Sequence, residues 1–264
     1  MGGAAALWAA PQPGFPLVDY HCHLDETLPL DQAVALSRKL GVKFGIVEHA
    51  GKKASGGLQA IGDAAALLRY IASLEGKPVY KGIQAEGIDW MRCFSPGAVA
   101  RLDYVLSDAL TFPEKDGRLV RIWTPEARVD DKQDWMERYL AFNLRVVEGE
   151  PIDILANPTF LPAPIEKEYD ALWTPARMRR LIDAAARGHV AIEINSRYRI
   201  PSLAFLRLAR QAGVKFSFGS NVHGAGIGKL DYCLDMADAL GLTARDMFVP
   251  APAGRKPIQV RRWQ

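Results

Sequence analysis

The sequence predicts one α/β domain, a TIM-barrel-like (β/α) barrel of seven strands over residues 17–264. Three observations predict it. Strand and helix signals alternate along the chain, which is the pattern of parallel strands joined by helical crossovers. The length of 264 residues is close to the size of one such barrel. Polar side chains of the kind that bind metals or substrates follow every predicted strand, where the catalytic groups of such barrels lie.

Strands are predicted where short apolar runs lie between turn residues. Their ranges, in chain order, are 17–20, 44–47, 79–85, 102–106, 152–156, 190–194 and 215–218. Residues 111–130 form a long, polar and charged stretch, which we expect to be an irregular insertion near the rim and a candidate lid. Residues 1–16 are rich in Ala, Gly and Pro, and we expect them to be a flexible segment.

Helices are predicted between the strands from apolar residues at three-to-four spacing and from residues that suit helix ends. Gly41 can end the first helix in a left-handed C-cap, and Thr174 followed by Pro175 suits the start of another. The predicted helices are 31–40, a helix that follows the loop 51–57 and ends near 74, then 131–148, 174 to about 187, 201–211 and 230–240.

The composition limits the class of protein. Apolar residues make up 49% of the chain and charged residues 24%, which argues against intrinsic disorder. A net charge of +3 is too small to indicate a nucleic-acid or membrane partner, and no run of about 18 apolar residues could span a bilayer. Three widely spaced cysteines do not form a disulfide framework, so we expect a reducing compartment, the cytoplasm. A trimmed export segment at residues 1–16 stays open, and no signal specifies an oligomeric state.

Four of the five histidines lie in three short segments at predicted strand ends. His21 and His23 are two residues apart, so they point to the same side of the first strand and can share one ion. Cys22 faces the opposite side and is interpreted as a packing residue. His49 and His223 follow the second and the seventh strand. Segments remote in sequence therefore predict a metal site on the rim of the barrel.

Other polar residues also follow the predicted strands, and they are Glu48, Glu86, Asp108, Asn157, Glu193, Asn195 and Asn221. A structural role is favoured for three of them. Glu193 and Asn195 are expected to hydrogen-bond loop backbone, and Glu48 is expected to point away from its neighbour His49. His189 lies at a predicted helix C-terminus, where a cationic side chain suits the helix dipole, and we assign it no chemistry.

Taken together, the motifs resemble the polymerase-and-histidinol-phosphatase (PHP) family. They are a His-x-His after the first strand, an acidic residue and His after the second, a single Glu after the third and an Asx-x-His after the last. The resemblance covers residues 17–228. It implies a distorted seven-stranded (β/α) barrel that holds up to three divalent metals and commonly hydrolyses phosphate esters.

The resemblance also implies metal ligands by position. They are His21, His23, Glu86 and Asn221 for a first set, Glu86, Asp108 and Asn157 for a second, and His49 and His223 for a third. A further family ligand after the first strand is not cleanly present, and Asp25 and Glu26 are the nearest candidates.

The chain departs from the family at three of these positions. Members usually have His where this chain has Asp108 and Asn157, and Asp where it has Asn221. Oxygen ligands shift the metal preference from zinc toward magnesium, manganese or calcium. We therefore expect zinc, manganese or iron at the histidine-rich positions and magnesium, or no ion, at the oxygen-rich position. One or two ions would be tightly bound, and three at most.

The implied reaction is hydrolysis of a small phosphorylated molecule by metal-activated water. His223 and Asp108 are the candidate proton donors to the leaving alkoxide. Rim cations should bind the phosphate, and the predicted ones are Arg197, as first choice, Arg199, Lys52 and Lys53.

Two other functions stay open. An amidohydrolase barrel also begins with His-x-His, but it would have further histidines after the fifth and sixth strands, where this chain has Asn157 and Asn195. The replaced ligand positions also suit a degenerate PHP barrel that binds a ligand with little or no catalysis.

Overall fold

A computed structural model describes residues 14–52, 61–88 and 90–261. Residues 1–13 of the predicted flexible segment and the candidate cation Lys53 lie outside the described residues. All elements and contacts below belong to the described part of the chain.

Parallel strands form most of the sheet structure. The strands are β1 (Leu17–His23), β2 (Val42–Ile46), β3 (His49–Gly51), β4 (Tyr80–Glu86), β5 (Tyr104–Ser107), β6 (Thr111–Pro113), β7 (Leu119–Arg121), β8 (Ile154–Leu155), β9 (Ala191–Asn195), β10 (Phe216–Gly219) and β11 (Val222–His223).

Helices cover the outside of the sheet, and apolar residues on their inner faces are buried. The α-helices are α1 (Leu30–Leu40), α2 (Ala64–Leu74), α3 (Pro96–Val99), α4 (Lys132–Gly149), α5 (Tyr169–Leu172), α6 (Pro175–Gly188), α7 (Leu203–Gln211), α8 (Asp231–Leu240) and α9 (Pro257–Val260). Short 3₁₀ helices lie at Trp90–Cys93, Glu166–Glu168, Gly224–Gly226 and Ala244–Asp246.

The sheet closes into a barrel of seven parallel strands. The order is β1, β2, β4, β5, β8, β9 and β10, and β10 pairs with β1 through Asp19 and Phe218. Two short strands extend the barrel at its carboxyl-terminal end. Strand β3 follows β2 and pairs with β4, and strand β11 follows β10 and pairs with β1. The predicted fold class, all seven predicted strands and the six predicted helices are confirmed, with boundaries that differ by a few residues.

Side chains fill the interior of the barrel. Tyr104 is fully buried, and its hydroxyl donates a 2.6 Å hydrogen bond to the carbonyl of Tyr20. Glycine on β4 makes room for the ring, because a Cβ at Gly82 would lie 2.7 Å from Cε1 of Tyr104. Because side chains pack the interior, we look for a ligand site among the loops at the carboxyl-terminal end of the strands.

Two expectations about the wider chain have clear outcomes. Residues 111–130 are not wholly irregular, because β6 and β7 pair there as an antiparallel hairpin. All three cysteines are free, and Cys22 packs in the hydrophobic core as predicted. Among the described helices, none has the length and apolar character needed to cross a membrane.

Candidate active site

A polar cavity of about 210 Å³ opens at the carboxyl-terminal end of the barrel strands. We call it the histidine cavity. Its walls come from the ends of most barrel strands, from the loops that follow them and from the segment after the β6–β7 hairpin. The lining residues are His23, His49, Gln84, Glu86, Asp108, Leu110, Trp123, Asn157, Arg197, Tyr198, Asn221 and His223.

Three imidazoles stack along one wall of the cavity. The ring of His23 lies between those of His49 and His223, with centroid distances of 4.8 and 4.6 Å and interplanar angles of 16° and 15°. The barrel sets this arrangement, because His23 ends β1, pairs in register with His223 on β11, and has β3 with His49 on its other side. The predicted convergence of three remote histidine segments is therefore observed.

The stacked imidazoles have the character of metal ligands. Burial lowers the pKa of His23 well below 6.5, and the neighbouring histidines lower it further. Burial and the charge of His49 also lower the pKa of His223. Both rings are therefore neutral at pH 7, which is the form that binds metals. Nδ1 of His23 is buried and has no hydrogen-bond partner among the described residues.

Glu86 fixes the orientation of one of these rings. Its Oε1 lies 2.6 Å from Nδ1 of His49. A carboxylate on Nδ1 selects the tautomer that leaves Nε2 free to bind an ion, an arrangement common around metal-bound histidines.

His21 lies fully buried beside the cavity and does not line it. Its Nδ1 pairs with Oε1 of Glu193 at 2.6 Å, and its Nε2 lies 3.1 Å from Oε1 of Gln84. Burial would lower the pKa of His21, but the charge and hydrogen bond of Glu193 raise it above 6.5. Because the protein engages both ring nitrogens, His21 has no free donor atom to share an ion with His23.

The contacts of His21 belong to a closed hydrogen-bonded ring of six side chains, which we call the polar ring. Its members are Glu193, His21, Gln84, Asp108, Asn157 and Asn195. Nε2 of Gln84 and Nδ2 of Asn157 both donate to Oδ2 of Asp108, at 3.1 and 2.8 Å. Nδ2 of Asn195 closes the ring by donating to Oδ1 of Asn157 at 2.9 Å and to Oε2 of Glu193 at 3.0 Å.

Asn157 and Asn221, two of the expected metal ligands, belong to or contact this network. Oδ1 of Asn157 also accepts a 2.7 Å hydrogen bond from Nδ2 of Asn221, so both ends of the Asn157 amide are engaged. Both residues have left-handed backbones, with φ of 46° and 49°. Asparagine tolerates this conformation better than most residues, which gives a local reason for its presence at these strand ends.

Asp108 is a half-buried carboxyl group that lines the cavity. Burial and the negative charge of Glu86 raise its pKa to about 6, although hydrogen bonds from Leu110 and Asn157 act in the opposite direction. The group can therefore hold or release a proton near neutral pH.

The structure separates the predicted phosphate-binding cations. Arg197 lines the histidine cavity, and its Nη1 donates a 3.0 Å hydrogen bond to the carbonyl of Asn221. Arg199 lines a neighbouring cavity instead, and Lys52 lines neither. Other residues that do not line the histidine cavity are Asp25, Glu26, Glu48 and His189.

Glu193 has a larger role than the backbone hydrogen bonds expected for it. It accepts a 2.7 Å hydrogen bond from the backbone N–H of Asn157, as expected, and it also pairs with His21. Gln84 was not predicted, although it lies two residues before Glu86 on β4 and so shares its face. Trp123 was missed as well, because it lies in the insertion, where no strand pattern directs attention to it.

The fit of a divalent ion differs between the two halves of this site. Among residues 14–52, 61–88 and 90–261, no three His, Cys, Asp or Glu side chains are placed to hold a metal ion. Zinc binds imidazole nitrogens at about 2.0–2.1 Å, so His23, His49 and His223 would have to move to bind one ion together. In donor chemistry the three imidazoles and the unpartnered Nδ1 of His23 fit an ion, whereas the side chains of the polar ring are hydrogen-bonded to one another.

Comparisons with known proteins support the fold. No protein-family model matches the chain, and a search of curated proteins finds no match. Among solved structures, the chain is similar to a histidinol phosphate phosphatase from Lactococcus lactis subsp. lactis in complex with zinc, L-histidinol and phosphate. The TM-score is 0.62 at 14% sequence identity, and the match covers 94% of this chain and 99% of the other. At this identity the likeness shows a shared barrel fold.

Proposed function

We propose that this protein is a metal-dependent hydrolase of small phosphate monoesters, a histidinol-phosphatase-like member of the PHP family. The observation that carries the proposal is the meeting of His23, His49 and His223 in one cavity at the carboxyl-terminal end of a seven-stranded barrel. The similar barrel that binds zinc and phosphate supports it.

The proposed ligands are the imidazoles of His23, His49 and His223, with Glu86 orienting His49. Zinc suits nitrogen ligands best, and manganese or iron are alternatives. When bound, a divalent ion lowers the pKa of a coordinated water toward about 7, so that hydroxide is available at neutral pH. We propose one tightly bound ion, because the polar ring uses the donor atoms of the oxygen-rich position that magnesium would otherwise occupy.

The chain itself supplies the remaining chemistry. Arg197 is proposed to bind the phosphate, because its guanidinium is held at the cavity by Asn221 and still has donors for two-point contact. Water oxygen attacks phosphorus while the ester P–O bond breaks, and Asp108 donates its proton to the leaving alkoxide. Trp123, which is 37% exposed, shields one side of the cavity from bulk water. His223, the other candidate proton donor, is assigned to the metal.

A second candidate is a barrel that binds a phosphorylated ligand without turnover. The polar ring favours it, because Asp108 and Asn157, which the resemblance implies as ligands of a second ion, are hydrogen-bonded to each other and to Gln84 and Asn195. An amidohydrolase is disfavoured, since Asn157 and Asn195 belong to this ring and do not act as histidine ligands would.

One experiment separates these functions. Metal content is measured on protein purified without chelator, and phosphate release is then followed from a panel of monoesters with added zinc or manganese. We expect His49→Ala to remove both bound metal and turnover, while His189→Ala, a change at the end of α6, alters neither. Metal and phosphate binding without release would support the second candidate. Equal effects of the two substitutions would contradict both.

A further inference from the structure

Arg121 is a half-buried arginine whose guanidinium group is left without partners on one edge. It is the last residue of β7 and pairs with Thr111 of β6 at the base of the hairpin. Its Nε and Nη2 atoms are both buried and have no hydrogen-bond partner among the described residues. These two atoms form an edge of the guanidinium that can bind a phosphate or a carboxylate through two parallel hydrogen bonds.

Another buried arginine shows how this protein satisfies a guanidinium that has a structural role. Arg177 is buried, and each of its three guanidinium nitrogens donates a hydrogen bond of 2.8 to 2.9 Å. The acceptors are Glu137, the carbonyl of Leu172 and Gln133. Buried polar atoms are normally paired in this way, because an unpaired one loses its hydration without compensation. Arg121 departs from this pattern, so its free edge suits an anion that is not part of the hairpin.

Arg121 adjoins the histidine cavity through Trp123. The backbone N–H of Thr124 donates a 3.1 Å hydrogen bond to the carbonyl of Arg121, and this turn brings the ring of Trp123 back toward the guanidinium. The guanidinium carbon lies 5.8 Å from the centroid of that ring, within cation–π distance. Trp123 and Leu110, the residue before β6, both line the histidine cavity. The base of the hairpin is therefore a wall of the cavity, and Trp123 contacts both the cavity and Arg121.

The histidine cavity is poor in cations for a site that binds a phosphate monoester. Among its described lining residues, Arg197 is the one arginine or lysine, whereas Glu86 and Asp108 both contribute carboxyl groups. A phosphate monoester carries between about 1.5 and 2 negative charges at pH 7. Placing it beside two carboxyl groups costs free energy that a second guanidinium would offset.

We infer that Arg121 is a second phosphate-binding residue, and that its guanidinium contacts the phosphate when the ring of Trp123 turns aside. The ligand is the phosphate group of a monoester, or inorganic phosphate as the product. The inference rests on the proposed function for the position of the phosphate. It gives the hairpin a role in binding, on the side of the cavity formed by Trp123, in addition to the role proposed for Arg197.

This role has a consequence for stability that a structural role would not have. Methionine keeps the apolar length of the arginine side chain and needs no hydrogen-bond partner. Arg121→Met should therefore leave the Tm of the phosphate-free protein unchanged or raise it, because it removes unpartnered buried donors. Arg177→Met should lower Tm, because it leaves the acceptors of Arg177 without their donor. Phosphate should raise the Tm of the wild-type protein by more than that of Arg121→Met.

The main test is the binding of inorganic phosphate, followed by isothermal titration calorimetry on the full chain loaded with zinc and freed of excess metal. We expect Arg121→Met to raise the Kd for phosphate by about tenfold or more, the scale for a hydrogen bond to a charged group. Arg118→Met is the matched control and should leave Kd unchanged. Arg118 precedes β7 in the same hairpin, and its side chain is 63% exposed and 3.9 Å from Asp116. Equal Kd values for the two variants, or a loss of Tm in Arg121→Met as large as in Arg177→Met, would overturn the inference.

Trp123 reports the movement of the ring. Phosphate should change the tryptophan fluorescence of the wild-type protein, and the change should be absent in Trp123→Phe. Phosphate binding with the same fluorescence change in both proteins, or with none in either, would refute the movement.

Two outcomes separate this inference from the proposed function. If phosphate binds with the expected dependence on Arg121 but no monoester releases phosphate, the hydrolase function fails and the role of Arg121 stands. If monoesters are hydrolysed and Arg121→Met matches Arg118→Met in both Kd for phosphate and kcat/KM, the role of Arg121 is wrong and the hydrolase function stands.

Discussion

The buried pair of Glu193 and His21 should make an isosteric change at Glu193 costly. Glu193→Gln keeps the shape of the side chain but replaces one carboxylate oxygen by an amide N–H₂ group. In either orientation this group faces a hydrogen-bond donor, which is Nδ1 of His21 on one side and the N–H groups of Asn157 and Asn195 on the other. Breaking one side of a buried ion pair costs about 3–5 kcal/mol. For a chain of this size that lowers Tm by roughly 10 °C.

The effect should depend on pH in a defined direction. Burial would raise the pKa of Glu193, but the charge and hydrogen bond of His21 hold it below 4.5. The pKa of His21 is raised above 6.5 by Glu193 against the effect of burial. The stabilisation is lost as pH falls through the lowered pKa of Glu193 and as it rises through the raised pKa of His21. The difference in Tm should therefore be larger at pH 5.5 than at pH 9.

Calorimetry on the chelator-treated protein measures this difference without a contribution from bound metal. Glu148→Gln is the matched control, because Glu148 makes a 2.9 Å ion pair with Arg187 in which both side chains are more than half exposed. Such a surface pair contributes about 1 kcal/mol or less. A loss of Tm no larger than in Glu148→Gln, or one of equal size at both pH values, would refute the role given to Glu193.

Three further predictions concern Gly219, Glu86 and Asp153. Gly219→Ala should destabilise the protein by about 1–3 kcal/mol, because the new Cβ would collide with Oε1 of Glu193 and lie 2.9 Å from Cβ of His21. Gly97→Ala is the control, because its new Cβ meets nothing within 4 Å. Equal midpoints of urea unfolding for the two variants would contradict the predicted collision at Gly219. Glu86→Gln should weaken zinc affinity about 10–100-fold by loosening His49, as measured by competition with a chromogenic chelator, and an unchanged affinity would argue against His49 as a ligand. Burial raises the pKa of Asp153 to about 7 from 3.8, despite the hydrogen bond from Val105 and the nearby charges of Lys256 and Arg261, so the folded state gains stability from protonation of Asp153 at low pH and loses it as pH rises through 7. Asp153→Asn should then raise Tm by more at pH 8.5 than at pH 5, with a gain in the free energy of unfolding of at most about 4 kcal/mol. No gain in Tm at high pH would contradict the assignment.

The fold follows from local sequence patterns, so most of it could be predicted. Alternating strand and helix signals and helix ends such as Gly41 and Thr174 are local features, and the structure places them as expected. The β6–β7 hairpin was missed because its strands have three residues each, too few to show a periodicity. The same shortness hides Trp123, whose place in the site depends on where that hairpin packs.

The candidate site was only partly predictable. The His-x-His spacing placed His21 and His23 on one face of β1, but it could not show that Gln84 and Glu193 engage both nitrogens of His21. That distinction depends on side chains from β4 and β9, which come together only in the closed barrel. Arg197 and Arg199 likewise look equivalent in sequence, and the turn of the loop separates them into different cavities.

A zinc-edge anomalous difference map, from crystals grown with zinc and no chelator, tests the metal assignment most directly. We predict a single peak in the histidine cavity, about 2.1 Å from imidazole nitrogens of at least two of His23, His49 and His223. The polar ring should remain closed beside it. A peak coordinated by His21, Asp108 and Asn157, or a cavity with no peak at saturating zinc, would contradict the assignment.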